Sequence, residues 1–193
     1  AAVRALVTTR TGGVSVGAYA SMNLAMQVGD NPAAVAENRR RLRTHLPAEP
    51  LWLTQVHGNA VVRAEDAVEG VAADAAFVRR AGRVCAVLTA DCLPVLLCNE
   101  AGTVVAAAHA GWRGLAGGVI EAAVQKMNEP PANLLAWLGP AIGPQAFEVG
   151  PDDDHPEIQN DGMQYDGLHF RAECKLAGKL YGQPFGVDVA FGD

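Results

Sequence analysis

Between Leu51 and Ile142 the chain is written in short apolar runs, each cut off after five or six residues by glycine, proline, asparagine or another turn residue. Runs of that length suit strands, because a helix needs about ten or more residues to bury a face. The expected strands are Leu51–Val56, Ala60–Ala64, Asp74–Val78, Val84–Leu88, Pro94–Cys98, Thr103–Ala108 and Trp137–Ile142. His57-Gly58-Asn59 is expected to fold the second of these back on the first as a hairpin. Helices interrupt irregularly. Pro32–Leu46 follows the turn Gly29-Asp30-Asn31-Pro32, in which Asp30 or Asn31 supplies the cap. Gly111-Trp112-Arg113-Gly114 reads as a turn, Leu115–Met127 as a second helix and Phe170–Leu180 as a third. Strands outnumber helices without a regular alternation, which predicts an α/β or α+β fold with mixed β-sheets.

A chain of 193 residues, half of them hydrophobic, can bury a core without disulfides or a structural metal. It reads as one domain over 1–193. Val3–Thr9 reads as a strand already under way and Val187–Asp193 as a strand entering a turn, so the domain is expected to be incomplete at its C-terminus. The net charge of −6 argues against nucleic-acid binding, which demands clustered cations. The one basic cluster, Arg39, Arg40, Arg41 and Arg43, fits the solvated face and C-terminal end of a helix. No run is long enough to cross a bilayer, and three of the four cysteines (Cys85, Cys92 and Cys98) crowd one apolar stretch. A reduced, cytoplasmic setting is expected.

Only five histidines occur, and two share a setting: His57 and His109 each follow an expected strand and precede glycine within two residues. Cys92 stands at a third strand junction, after Asp91. Two imidazoles and a thiolate at neighbouring strand ends suit zinc, and three protein ligands leave a fourth position open for chemistry. Each residue has an ordinary alternative: a strand-end histidine caps surface groups, and a cysteine in an apolar run packs as a small hydrophobe. Residue types leave both readings open. The glycine turns at Gly12-Gly13 and Gly111–Gly118 carry Arg10 and Arg113 beside them, where a guanidinium fork suits phosphate or carboxylate; ordinary turn chemistry explains them equally well.

Six blocks in order then resemble one family: Thr9-Arg10-Thr11-Gly12-Gly13-Val14-Ser15, Gln55-Val56-His57-Gly58, Ala73-Asp74-Ala75, Ala90-Asp91-Cys92-Leu93-Pro94-Val95, His109-Ala110-Gly111-Trp112-Arg113-Gly114 and Gly139-Pro140-Ala141-Ile142-Gly143. The chain resembles the YfiH, or laccase-domain (polyphenol oxidase-like), family, whose members include purine nucleoside phosphorylases. The resemblance implies mixed β-sheets sandwiched between helices. It implies zinc on His57, Cys92 and His109. It also implies phosphorolysis of adenosine, inosine, guanosine and methylthioadenosine, and deamination of adenosine. It fails over Pro151–Tyr165, and the family's final segment is missing beyond Asp193.

On that reading zinc polarises an oxygen of water or substrate. Asp74 or Asp91 carries a proton, or Asp91 orients a ligand. Arg10 and Arg113 hold phosphate for attack on the ribose carbon. Two other chemistries compete. One is phenol oxidation at a single copper, since five histidines cannot ligate a four-copper set. The other is a metal-free cysteine hydrolase that edits cell-wall precursors, with Cys92 as nucleophile and His57 or His109 as base. A non-catalytic module with a closed metal site is a third class.

Overall fold

The computed structural model describes residues 3–143 and the strand residues 168–172, 175–176, 179–180 and 185–189. Pro151–Tyr165, with His155, lies outside the described residues.

Five strands form one mixed sheet in the order β1-β2-β4-β3-β5. They are β1 (Val61–Arg63), β2 (Ala75–Val78), β3 (Leu93–Asn99), β4 (Val105–Ala110) and β5 (Leu134–Leu138). β1 runs parallel to β2, and the other pairs are antiparallel. A side chain closes the turn between β3 and β4. Asn99 Oδ1 accepts the N–H groups of Thr103 (2.8 Å) and Val104 (3.3 Å), so the β3–β4 turn reaches Val104. β4 therefore starts at Val105, and His109 lies inside it, opposite Pro94 of β3.

Alternation sends Ala106, Ala108 and Ala110 to one face with Ala75, Phe77, Val95 and Leu97. Helix α3 (Val119–Met127) closes that face with Val119, Ala123 and Met127, a stripe of spacing four. Burying the Val119 and Met127 side chains stabilises by about 1.5–3 kcal/mol each. The short side chains of β4 let α3 lie close to the sheet. On the opposite face Ala76 of β2 packs with Leu53 and Ala73. Trp52, beside Leu53, turns outward to Leu24 and to Leu42 of α1 (Pro32–Arg43). The sheet thus lies between α3 and a loop layer backed by α1.

α1 begins as expected, with Asn31 Oδ1 accepting the Ala33 N–H at 2.9 Å and Pro32 at the first helical position. It ends at Arg43, short of Leu46, where the Thr44 hydroxyl donates to the Arg41 carbonyl. The arginine cluster is engaged locally. Arg40 and Arg41 grip Glu37, and Arg39 stacks on Trp52 at 4.1 Å. The Arg40 hydrogen bond, then that of Arg41, holds the Glu37 carboxyl down at about 2.

Several expected elements differ. Val3–Thr9 is exposed and irregular, having no partner strand among the described residues. The Leu51–Val56 and Ala60–Ala64 hairpin does not form. Leu51 and Thr54 make isolated parallel bridges to Cys85 and Ala72, and Val61–Arg63 pairs with β2 instead. Val84–Leu88 keeps only the Cys85 bridge. The stretch Gly111–Gly114 opens helix α2 (Trp112–Ala116), and the expected helix Leu115–Met127 is divided where Gly118 adopts φ 79°. β5 begins three residues before the expected Trp137–Ile142 strand, shares Trp137 and Leu138 with it, and ends ahead of Gly139 and Pro140. Phe170–Leu180 is not helical: β6 (Leu168–Ala172) pairs with β9 (Phe185–Val189), and β7 (Lys175–Leu176) pairs with β8 (Lys179–Leu180). Cross-strand pairing there overrides a weak helical pattern.

Candidate metal centre

His57, Cys92 and His109 come together. Their nitrogen and sulfur donor atoms all lie within 4.8 Å of one another. Cys92 Sγ is 3.8 Å from His57 Nε2, and the two imidazoles meet edge to face with centroids 4.8 Å apart. His109 is nearly buried at 4 % exposure, Cys92 is half-buried and His57 is exposed, so the cluster opens to solvent on one side.

Each ligand is placed by a different device. β4 carries His109 on the sheet face away from α3. Cys92 ends the bend that leads into β3; the Asp91 carbonyl accepts the Ile142 N–H at 2.9 Å and pins that bend. His57 has left-handed backbone, φ 59°, in a loop that curls around a carboxylate. That carboxylate is Asp74, which is fully buried. Its Oδ1 accepts from the His57 N–H at 2.9 Å and pairs with His109 Nδ1 at 2.8 Å. Its Oδ2 accepts from the N–H groups of Val56 (3.1 Å) and Gly58 (2.8 Å). These bonds explain the missing hairpin: the N–H groups of residues 56–58 are already taken.

Burial is the largest single influence on Asp74 and works to raise its pKa. The hydrogen bonds from His109, Gly58, Val56 and His57 together outweigh it and hold the carboxyl below its ordinary value. The Cys92 thiol is pushed up, by burial first and then by Asp91 and Asp74. A bound cation reverses that balance, because coordination deprotonates a thiol.

The donor set and its surroundings fit a metal. Two nitrogens and one sulfur suit zinc or copper. Space is kept by Gly111, the residue before α2: a Cβ there would stand 2.7 Å from Cys92 Sγ and 3.1 Å from His57 Cδ2. A side chain at that position would crowd two of the three ligands.

The remaining candidates lie apart from this cluster or beside it. Asp91 is exposed next to Cys92. Arg113 lies in α2, two residues after Gly111, with its guanidinium over the Trp112 ring at 4.9 Å. Arg10 belongs to the loop held by α1: its Nη2 donates to the Ala20 carbonyl at 3.2 Å, while Asn38 and Arg41 bind Val14 N–H and the Gly12 carbonyl nearby. Sequence reasoning missed two supports. Gln55 exchanges two 2.7 Å bonds with the backbone of Leu88, tying the His57 loop to the segment before Cys92. Asn59 Nδ2 reaches the Gly117 carbonyl. Gln55 opens the block Gln55-Val56-His57-Gly58, which marked it without giving it a role.

Residues 4–181 match the family described as multi-copper polyphenol oxidoreductase laccase. The chain is 57% identical over 150 residues to a purine nucleoside phosphorylase of Pseudomonas aeruginosa. It is 56% identical over 151 residues to the purine nucleoside phosphorylase YfiH of Escherichia coli K12. These matches cover 78% and 77% of the chain and 62% of each relative, so the chain spans about three fifths of their length. Among solved structures, protein NMB0706 of Neisseria meningitidis superposes with a TM-score of 0.70 at 54% identity, covering 76% of this chain and 61% of that one. YlmD of Geobacillus stearothermophilus superposes at 0.66 and 33% identity, covering 72% and 58%. With the fold, the ordered blocks and the His-Cys-His cluster all agreeing, the chain belongs to the multi-copper polyphenol oxidoreductase laccase family, several of whose curated members are named purine nucleoside phosphorylases.

Proposed function

We propose that the chain is the metal-bearing part of a zinc-dependent purine nucleoside phosphorylase acting on adenosine, inosine, guanosine and methylthioadenosine, with adenosine deaminase activity. The observation that carries this reading is the open convergence of His57, Cys92 and His109. A centre with three protein ligands and a solvent-facing side leaves room for a reacting group. Residues 1–193 are read as one catalytic domain that acts in the cytoplasm.

His57, Cys92 and His109 would hold the metal, and a bound zinc supplies Lewis-acid polarisation of an oxygen. The chain's own residues do the rest. The Asp74 oxygens are committed to four donors, so proton transfer falls to Asp91, exposed beside Cys92. Arg113, two residues after Gly111, and Arg10, in the loop held by α1, are the phosphate candidates. In phosphorolysis a phosphate oxygen bonds to the ribose C1′ as the C1′–N9 bond breaks. The electron pair leaves with the purine, which takes up a proton.

Two observations favour other readings. The family description points to copper, which the same ligands bind tightly. The 3.8 Å approach of Cys92 Sγ to His57 Nε2 is close to the geometry of a thiol–imidazole dyad, as in a cysteine hydrolase. A screen of nucleosides with inorganic phosphate, with and without a chelator, decides among them. Release of purine base that chelator abolishes and zinc restores is expected. Absence of base release from every nucleoside would overturn the reading.

A further inference from the structure

We propose that Asp74 is a positioning residue: one carboxylate sets the ring tautomer of His109 and the place of the His57 loop, so that His57 Nε2 stands 3.8 Å from Cys92 Sγ and His109 keeps Nε2 free of its bond to Asp74. The inference rests on the metal reading above and goes beyond it by naming what assembles the ligands.

The geometry is specific. Asp74 Oδ1 takes both the His57 N–H at 2.9 Å and His109 Nδ1 at 2.8 Å, so a single oxygen joins two ligands that lie far apart in the chain. Oδ2 takes the N–H groups on either side of His57, from Val56 and Gly58. The backbone joins in: the Asp74 carbonyl accepts the His109 N–H at 2.7 Å. An ionised carboxylate has only acceptors. His109 must therefore carry its proton on Nδ1, which leaves the Nε2 lone pair free for a cation.

The left-handed backbone of His57 fits the same role. A histidine at φ 59° is uncommon, and three N–H···carboxylate bonds around it supply what holds it there. Without Asp74 the loop loses the three bonds that hold the His57 backbone, and the Gln55 clamp on Leu88 is left to tie it toward Cys92. A group enclosed on every side by donors is also poorly placed to exchange protons with a substrate.

The isosteric substitution Asp74→Asn tests this. An amide offers one acceptor oxygen and a donor NH2. Wherever the NH2 points, it faces either backbone N–H groups or His109 Nδ1. In the second case the ring proton is driven to Nε2, the metal-facing atom.

Two measurements decide, and the first needs no metal. Nitrogen-15 NMR of the wild-type apo-protein at alkaline pH is expected to show His109 as the Nδ1–H tautomer; an Nε2–H tautomer overturns the proposal. Zinc competition against a chromophoric chelator is expected to show 10–100-fold weaker binding in D74N than in wild type, the usual range for losing a partner behind a ligand. Zinc binding as tight as wild type by a folded D74N overturns it as well. If D74N does not fold, the wild-type tautomer decides alone. Failure of the wild-type protein to bind zinc at all is a different result and strikes the metal reading.

Discussion

The α-carbon of Gly111 faces Cys92 so closely that a methyl group on it would lie 2.7 Å from the Sγ. Gly111 has φ −66° and ψ 163°, a conformation open to any residue, so the requirement for glycine here is space and not backbone freedom. Gly111→Ala therefore acts on the ligands. Cys92 and His57 must move aside, and metal affinity is expected to fall at least about tenfold, the lower end for disturbing a ligand's support. Chelator competition reads the loss. Unchanged affinity would show that the cluster does not need that space.

Cys92→Ala removes the one sulfur donor of the cluster. Two imidazoles remain, and the substitution is expected to abolish both stoichiometric zinc and phosphate-dependent base release. Elemental analysis and a base-release assay on the same preparation check it. Full activity in C92A would remove the metal from the mechanism.

Gln55→Leu breaks the amide clamp on Leu88. The Leu88 N–H and C=O each lose a 2.7 Å partner in a partly buried place. Leaving such groups unpaired costs about 1–3 kcal/mol. Urea denaturation should show that loss, together with weaker metal binding, because the clamp ties the His57 loop to the chain entering Cys92.

Asn38→Leu strikes the N-terminal loop. Asn38 is fully buried. Its Nδ2 donates to Ser15 Oγ and to the carbonyls of Ser21 and Asn23, and its Oδ1 accepts the Val14 N–H. Leucine satisfies none of these, and a loss of roughly 2–4 kcal/mol follows from several stranded polar groups. Zinc binding in the folded fraction should stay near wild type, since the Asn38 partners are in the Arg10 loop.

Cys85 carries the pH prediction. Burial, with a smaller push from Glu65, raises its thiol from an ordinary 9.0 to about 12. A thiol whose folded pKa lies above its unfolded one contributes stability that is complete below pH 9.0 and is lost as pH rises toward about 12. Stability should therefore decline over that window, less steeply in C85A. At pH 9.0 iodoacetamide should leave Cys85 unmodified in the folded protein and modify it in guanidinium, which peptide mass analysis would show.

Local features were legible from the residues. Asn31-Pro32 signals the start of α1, and the start of α1 is where those two residues place it. The apolar runs at Asp74–Val78 and Pro94–Cys98 became β2 and β3 with small shifts at their ends. His57, Cys92 and His109 were recognisable as the residues able to hold a metal, and their neighbourhood is what the ordered motif blocks imply. Each of these depends on contacts within a few residues or on side-chain chemistry, both of which are written in the chain itself.

The strand pairing was not legible, nor were the contacts that hold the centre together. An Ala60–Ala64 hairpin is the local solution for a turn at His57-Gly58-Asn59. It gives way because the N–H groups of residues 56–58 bind a carboxylate sixteen to eighteen positions later. Val61–Arg63 is then free to run parallel to β2, an arrangement that only a distant partner can offer. Asp74 reads in sequence as a candidate proton carrier; that it is completely buried and takes four donors is visible only in the tertiary structure. The side-chain hydrogen bonds of Gln55 to Leu88, 33 residues away, belong to the same kind. Sequence determined which groups are able to bind a metal. Only the tertiary structure decided that one buried carboxylate bonds both His57 and His109, because a hydrogen bond between distant segments exists only once packing has brought them together.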